Sequence, residues 1–330
     1  MKALLPVAGI GSRLRPQTNT TPKAMVHVAG KPMLGHIIDD LVKANITDIV
    51  LIVGFMKEQI IDYVTDEYSQ LNIEFIVQKE MLGLGHAIWM TKQLMGNEDS
   101  LIVLGDTIYN VDMSEFVNSE NSVLGLRAVS DPRRFGVAET TSDKKFVTKL
   151  VEKPDKPKSN LAIVGLYYIK NTEKLMECLE YLIENNIRTK NEFQLTDALQ
   201  KYLESDENVE VYEINDWFDC GQADVLLETN RQLLDIKTYD TSVMIENGLI
   251  IQPCAIHPTA KIKNSIVGPY VSIGRNTVIE NSIIRDSIIA DHCNLTSKHI
   301  ETSIVGDHSN LNGKARKLNV GAYTKINTEY

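Results

Sequence analysis

In the first two thirds of the chain, short apolar runs alternate with amphipathic stretches. Runs at residues 2–7, 49–53, 73–77 and 101–104 read as strands, being almost wholly hydrophobic over lengths too short for a helix. Between them, near residues 34–44, 57–68 and 86–95, the pattern is helical. Such alternation predicts an α/β fold: a Rossmann-like, mostly parallel sheet with helices on both faces. Pro32 suits the first turn of the helix that begins near Met33, where its missing N–H costs little. In open sheets of this type ligands bind beyond the carboxyl ends of strands. Residues 9–23 and the pair Gly105 and Asp106 sit at two such ends.

The pattern changes near Thr241. From there an aliphatic residue recurs about every six positions: Ile250, Ile256 and Ile262, then Val267, Ile273 and Ile279, then Ile289 and Leu295, Val305 and Leu311, Val320 and Ile326. Glycine follows Val267, Ile273, Val305 and Val320. One inward aliphatic residue per short strand marks a parallel β-helix, in which each coil buries its apolar side against the next. About eighteen residues per three-sided coil would give roughly four to five coils, about 4.8 Å apart. Breaks in the period at residues 284–289 and 298–302 are expected to be outward loops or register shifts. The chain thus divides into residues 1–238 and 239–330.

The opening segment carries the candidate chemistry. Residues 6–23 read PVAGIGSRLRPQTNTTPK, a Gly9-x-Gly11 turn after a strand, followed by Arg13, Arg15 and Lys23. Backbone N–H groups of such a turn can face an anion, and the side chains add full positive charge. A Walker loop is excluded, since no G-x-x-x-x-G-K-[ST] string begins at either glycine. A dinucleotide fingerprint would need a small residue at Leu14 and a carboxylate about twenty positions on, where residues 24–30 have none.

With 330 residues, 43% of them hydrophobic, the chain can bury a sizeable core in two domains. A net charge of −10 argues against a nucleic-acid surface, so the basic residues near the N-terminus are expected to face a small polyanion, for which a magnesium complex fits. No apolar run approaches a membrane span and the N-terminus lacks a signal-peptide pattern, so a cytoplasmic protein without membrane partners is expected. Cys178, Cys220, Cys254 and Cys293 have no C-x-x-C spacing and read as buried free thiols.

These features resemble the sugar-1-phosphate nucleotidylyltransferases, the family of glucose-1-phosphate thymidylyl-, uridylyl- and adenylyltransferases, in particular members with a C-terminal left-handed β-helix of hexapeptide repeats. The opening is similar to the family's A-G-G-x-G-T-R-L, then P-K and K-P-M, with Ala8 in place of one glycine and Ser12 in place of the threonine. Further matches follow in family order: Gln78 and Gly83 in QKEMLGLGHA, Gly105-Asp106, Phe135-Gly136-Val137, Glu152-Lys153-Pro154, Gly165-Leu166-Tyr167 and the run from Trp217 to Gly221.

The resemblance implies transfer of a nucleoside monophosphate from dTTP or UTP to a sugar 1-phosphate, with glucose as the default sugar, by in-line displacement of pyrophosphate. Such chemistry needs two repelling anions juxtaposed and their charge neutralised, without a covalent nucleophile. By resemblance Asp106 and Asp219 hold Mg²⁺, and Arg13 and Lys23 grip the triphosphate. Ala8, Gly9, Gly11, Ser12, Gln78 and Gly83 surround the nucleotide, with the Gln78 amide reading the base edge. Gly136, Glu152, Lys153 and Gly165 receive the sugar phosphate. The segment NEFQLTD at residues 191–197 has Gln194 where the thymidylyl pattern has glutamate, leaving dTTP and UTP open.

Two alternatives remain. The β-helix can carry a sugar acyltransferase, for which His292 and His308 in hexapeptide-like turns, and His299 in a loop, are candidate bases. The chain can also be an inactive regulatory or scaffold homologue, which retention of Arg13, Lys23, Asp106, Lys153 and Asp219 disfavours. Homo-oligomerisation through the β-helix is expected, because the exposed ends and flat apolar sides of a stack invite association.

Overall fold

A computed structural model describes residues 1–236 and 243–313. The expected boundary at 238/239 and the expected inward positions Val320 and Ile326 lie outside the described residues. The chain separates into two compact units, Met1–Thr229 and Asn230–Tyr330.

A nine-stranded sheet organises the first unit. Its parallel half runs Ser100–Val103, Lys2–Pro6, Asp48–Val53, Asn72–Val77. Alternate side chains of these strands point to opposite faces: Ala3, Leu5, Ile49, Leu51, Leu101 and Val103 enter one core, Leu4, Val50, Ile52 and Ile102 the other. Helices Met33–Lys43 and Lys57–Glu67 cover the first face, with Leu34, Ile37, Ile38, Leu41, Ile60 and Val64 buried there. Leu84–Trp89, Thr172–Glu184 and Leu195–Leu203 cover the second.

The rest of the sheet is mixed. Leu161–Ile169 pairs antiparallel with Ser100–Val103, Ser122–Ala128 and Gly136–Thr140, and Gly136–Thr140 pairs antiparallel with Val147–Glu152. Parallel pairing of neighbours needs a crossover of about a dozen residues or more, which the short link between the last two strands does not supply. The expected helix at 86–95 ends at Trp89 and gives way to a separate 3₁₀ turn, Lys92–Leu94.

Strand order fixes where a ligand can enter. From Lys2–Pro6 the chain steps outward to Asp48–Val53 and Asn72–Val77, then returns to Ser100–Val103 on the opposite side of the first strand. The loops leaving Lys2–Pro6 and Ser100–Val103 diverge there, opening a crevice at the carboxyl ends of two adjacent strands.

In the second unit three parallel sheets form the sides of a β-helix, five strands deep on one side and four on each of the others among the described residues. Coils are shorter than the expected eighteen residues: Lys261 pairs with Val278, seventeen positions on, and Val278 with Asn294, sixteen on. The apparent breaks are therefore strands, Ile283–Arg285, Ile288–Ile289 and His299–Glu301. Ile284 supplies the missing inward residue, five positions from both Ile279 and Ile289, because the corners at Asn281 and Ser282 and at Asp286 and Ser287 each turn in two residues.

Corner chemistry repeats from coil to coil. Asn247, Asn264 and Asn281 take left-handed backbone angles that asparagine tolerates, and their amides form a ladder, Asn247 Nδ2 to Asn264 Oδ1 at 2.9 Å and Asn264 Nδ2 to Asn281 Oδ1 at 3.2 Å. Ser282 Oγ donates to Glu280 O at 2.7 Å and accepts from Lys298 N of the next coil at 3.1 Å. Replacing it leaves a backbone N–H without its partner. Ser282→Ala is expected to lower unfolding free energy by about 1–3 kcal/mol in urea denaturation; unchanged stability would show that this rung contributes nothing.

Candidate active site

A cleft of about 430 Å³ opens at the crevice, with Val7, Ala8, Gly9, Lys23, Gln78, Gly83, Leu104 and Asp106 among its walls. Each arrives on a short connection that local residues hold. Gly11, at φ +70°, lets the loop turn back, and a side chain there would meet Lys23 Cβ at 2.8 Å. Thr18 Oγ1, buried, donates to Gly11 O at 2.7 Å and ties the loop's two arms. Lys23 follows Pro22 in a single 3₁₀ turn, Lys23–Met25.

Three charges converge on the floor. Lys23 Nζ donates to Asp106 Oδ2, while Asp106 Oδ1 accepts from Thr107 Oγ1 at 3.2 Å. Asp219 ends the strand Trp217–Asp219, which pairs antiparallel with Thr107–Tyr109 and sets Asp219 opposite Thr107, beside Asp106. Cys220 N donates to Asp106 O at 3.2 Å. A Cβ on Gly221 would lie 3.0 Å from Asp219 Oδ1 and 3.6 Å from Lys23 Nζ, so glycine leaves both groups room.

At one end of the cleft stands Gln78, 6% exposed. Its Nε2 lies 3.4 Å from Gly83 O and 3.4 Å from His86 Nδ1. Gly83 has φ +111°, and a Cβ there would lie 2.5 Å from Phe193 O, so no other residue fits without displacing backbone. The segment after Glu192 clamps this turn: Phe193 N donates to Leu82 O and Gly85 N to Phe193 O, both at 2.8 Å. Gln194 immediately precedes the helix Leu195–Leu203 without a side-chain capping bond and is itself buried, with Nε2 donating to Thr189 O and Glu192 Oε2.

A second cluster surrounds Glu152, whose side chain is 8% exposed. It faces Gly136 across paired strands, accepts from Thr196 Oγ1 at 2.6 Å and pairs with Lys153 Nζ at 3.1 Å. Asp197 next to Thr196 has a buried Oδ2 without a hydrogen-bond partner, and burial, then the charge of Glu152, pushes its carboxyl up against the pull of a Thr189 hydrogen bond. Burial first, and then the charges of Glu152 and Asp106, push the Tyr167 phenol up. Gly165 O accepts from Leu104 N at 3.0 Å, which fixes one cleft wall.

Of the residues singled out in the sequence, Ala8, Gly9, Lys23, Gln78, Gly83 and Asp106 line one cleft. Asp219 joins them through Thr107, and Gly11 through Lys23. Gly136, Glu152 and Lys153 form the second cluster, and Gly165 backs Leu104. Ser12 and Arg13 sit on the exposed turn Ser12–Leu14, outside the cleft lining. Thr196 and His86, which hold Glu152 and Gln78, were within motifs read for other residues. Among the described residues no three His, Cys, Asp or Glu side chains form a metal cluster, so Asp106 and Asp219 offer two carboxylates only. In the second unit His292 and His308 stack 4.9 Å apart at exposed corners, and His299 begins a strand rather than lying in a loop.

All four cysteines are free and buried. Burial pushes the Cys220 thiol up to about 12, with Asp106 and Asp219 adding to it, and burial pushes Cys254 and Cys293 up to about 11. The reactive thiolate is scarce in each. The folded protein should resist an aromatic disulfide reagent at pH 8, and all four thiols should react in guanidinium; rapid labelling of the native protein would contradict this burial.

Residues 2–236 match the nucleotidyl transferase family and residues 250–329 the GMPPB C-terminal domain. Bifunctional protein GlmU of Methanococcus vannielii is 36% identical, covering 89% of this chain and 79% of its own. Low-salt glycan biosynthesis nucleotidyltransferase Agl11 of Haloferax volcanii is 32% identical over 88% of this chain and 87% of its own, and glucose-1-phosphate thymidylyltransferase of Streptomyces griseus 31% over 88% and 87%. Among solved structures, a putative glucose-1-phosphate thymidylyltransferase from Bacillus anthracis, in complex with a sucrose, superposes with TM-score 0.62 at 29% identity, over 72% of this chain and 97% of that one. UDP-glucose pyrophosphorylase with UDP-glucose gives TM-score 0.62 at 25% identity, over 72% and 99%.

Proposed function

Because this chain belongs to the nucleotidyl transferase family, we propose that it transfers a nucleoside monophosphate from UTP or dTTP to a sugar 1-phosphate, glucose 1-phosphate being the first to test, and releases pyrophosphate. The observation that carries this reading is the meeting of Lys23, Asp106 and Asp219 at the crevice floor, with Gln78 and Gly83 in the wall of the same cleft.

The donor set fits magnesium. Two carboxylates offer hard oxygen ligands, and Mg²⁺ is usually held by one or two carboxylates while phosphates and water fill the remaining positions. Asp106 and Asp219 would hold the ion, which when bound supplies neutralisation of the phosphates that must approach one another.

The chain's own groups do the rest by position. Lys23 rests on Asp106 and would exchange that carboxylate for a phosphate oxygen when the triphosphate arrives, bringing its charge to the leaving pyrophosphate. Arg13 is exposed and makes no ion pair among the described residues, so it can swing onto the same phosphates. The backbone at Ala8, Gly9, Gly11 and Ser12 would cradle them. Glu152, oriented by Thr196, would accept from sugar hydroxyls, and Lys153 beside it would meet the sugar phosphate, with Gly136 and Gly165 shaping the pocket. Holding two anions in line is itself the main catalytic effect.

Pyrophosphate release with Mg²⁺ and glucose 1-phosphate is expected with UTP or dTTP and not with ATP, CTP or GTP; silence with all five would overturn the glucose reading and favour another sugar phosphate or a scaffold. Asp106→Asn should reduce turnover by about 100-fold or more with an unchanged circular dichroism spectrum; full activity would remove Asp106 from the site.

Association through the second unit is part of the same reading. Leu249, Ile266 and Ile283 stand in register on one outer side of the coil stack, 54, 36 and 37% exposed. A column of that kind invites burial against another copy. Replacing the three together with glutamine should lower the sedimentation coefficient; an unchanged profile would exclude this column as the contact.

A further inference from the structure

Gln78 can read a base in two opposite senses, because its amide offers an acceptor on one side and two donors on the other. The neighbours decide which side faces outward. Gly83 O can only accept, and it lies 3.4 Å from Nε2. His86 Nδ1 lies at the same distance from Nε2, and because Nε2 can only donate, the two groups are compatible when Nδ1 is the acceptor nitrogen of a neutral ring. Oε1 accepts no hydrogen bond from the described residues and is not sealed away among the buried unpartnered atoms, so it remains available on the cleft wall.

We propose that His86 is a positioning residue that fixes the sense of Gln78: with Nε2 drawn inward, Oε1 faces the cleft and selects a base with an N–H at the edge it meets, as the imide of uracil or thymine has, while refusing cytosine, whose ring nitrogen there is an acceptor. The inference rests on the nucleotide-binding reading of this cleft.

The surroundings of the ring agree with an acceptor at Nδ1. Burial is the main influence lowering the affinity of His86 for a second proton, with Arg188 acting in the same direction and Glu80 opposing. Trp89 packs 5.9 Å from the ring on the same helix, restricting its rotation. Without His86, only the Gly83 carbonyl would oppose rotation of the amide by half a turn, which would present Nε2 to the base and make cytosine acceptable.

Calorimetric titration with the magnesium complexes of UTP, dTTP and CTP tests this on the full chain. The wild-type protein should bind UTP and dTTP at least about tenfold more tightly than CTP. In His86→Leu and His86→Phe, which lack the acceptor, the preference should fall to within about threefold. His86→Asn, whose Oδ1 can stand where Nδ1 stood, should retain it. A melting curve for each variant separates loss of fold from loss of selectivity. Unchanged preference in either folded acceptor-free variant would overturn the role of His86 while leaving the nucleotide reading intact. No binding of any pyrimidine nucleotide by the wild-type protein would overturn both.

Discussion

The ion pair between Lys23 and Asp106 is the contact around which the cleft of the first unit is arranged. It joins the loops leaving two adjacent strands at the place where strand order reverses, so the crevice that topology opens is also bridged by opposite charge. Everything around it serves to keep those groups close. Gly11 makes room for the lysine stem, Thr18 pins the loop, the short strand pair brings Asp219 alongside, and Gly221 keeps the space between carboxylate and ammonium clear. A half-buried lysine beside two carboxylates is the charge arrangement on which the proposed binding of a polyanion together with a cation rests.

The two faces of the sheet divide the labour. Helices Met33–Lys43 and Lys57–Glu67 seal one face and contribute little to the cleft, while the helix Leu84–Trp89 on the other carries His86 and the turn at Gly83. The antiparallel strands then bring Glu152, far along the chain, within electrostatic reach of the same Tyr167 that senses Asp106. A parallel core thus supplies the crevice, and the antiparallel strand Leu161–Ile169 backs one of its walls through the bond from Leu104 N to Gly165 O.

Much of this was legible in the sequence because it depends on local pattern. The strand runs at residues 2–7, 49–53, 73–77 and 101–104 match strands to within a residue, because buried parallel strands must be continuously apolar. The candidate site residues were named through motifs, which single out side chains but not what holds them. Thr196 and His86 were passed over for that reason: each acts on a residue brought to it by folding, one across 44 positions and one by a half-turn of an amide, and neither leaves a periodic trace. The helix at 86–95 was read too long because apolar spacing continues past Trp89 while the backbone tightens into a 3₁₀ turn. Among the described residues of the coil stack the inward positions were read correctly where the step is six, and Ile284 was mistaken for an interruption where two-residue corners reduce the step to five.

The ladder of corners has a consequence for how such a chain can change over time. Each rung, Asn247 to Asn264 to Asn281 or Ser282 to Lys298, reaches only the coil directly above or below, so no part of the stack refers to its total height. An in-frame duplication of sixteen or seventeen codons taken from strand to equivalent strand would carry its own inward residues and corner donors with it. The stack can therefore gain or lose a storey by one genetic event.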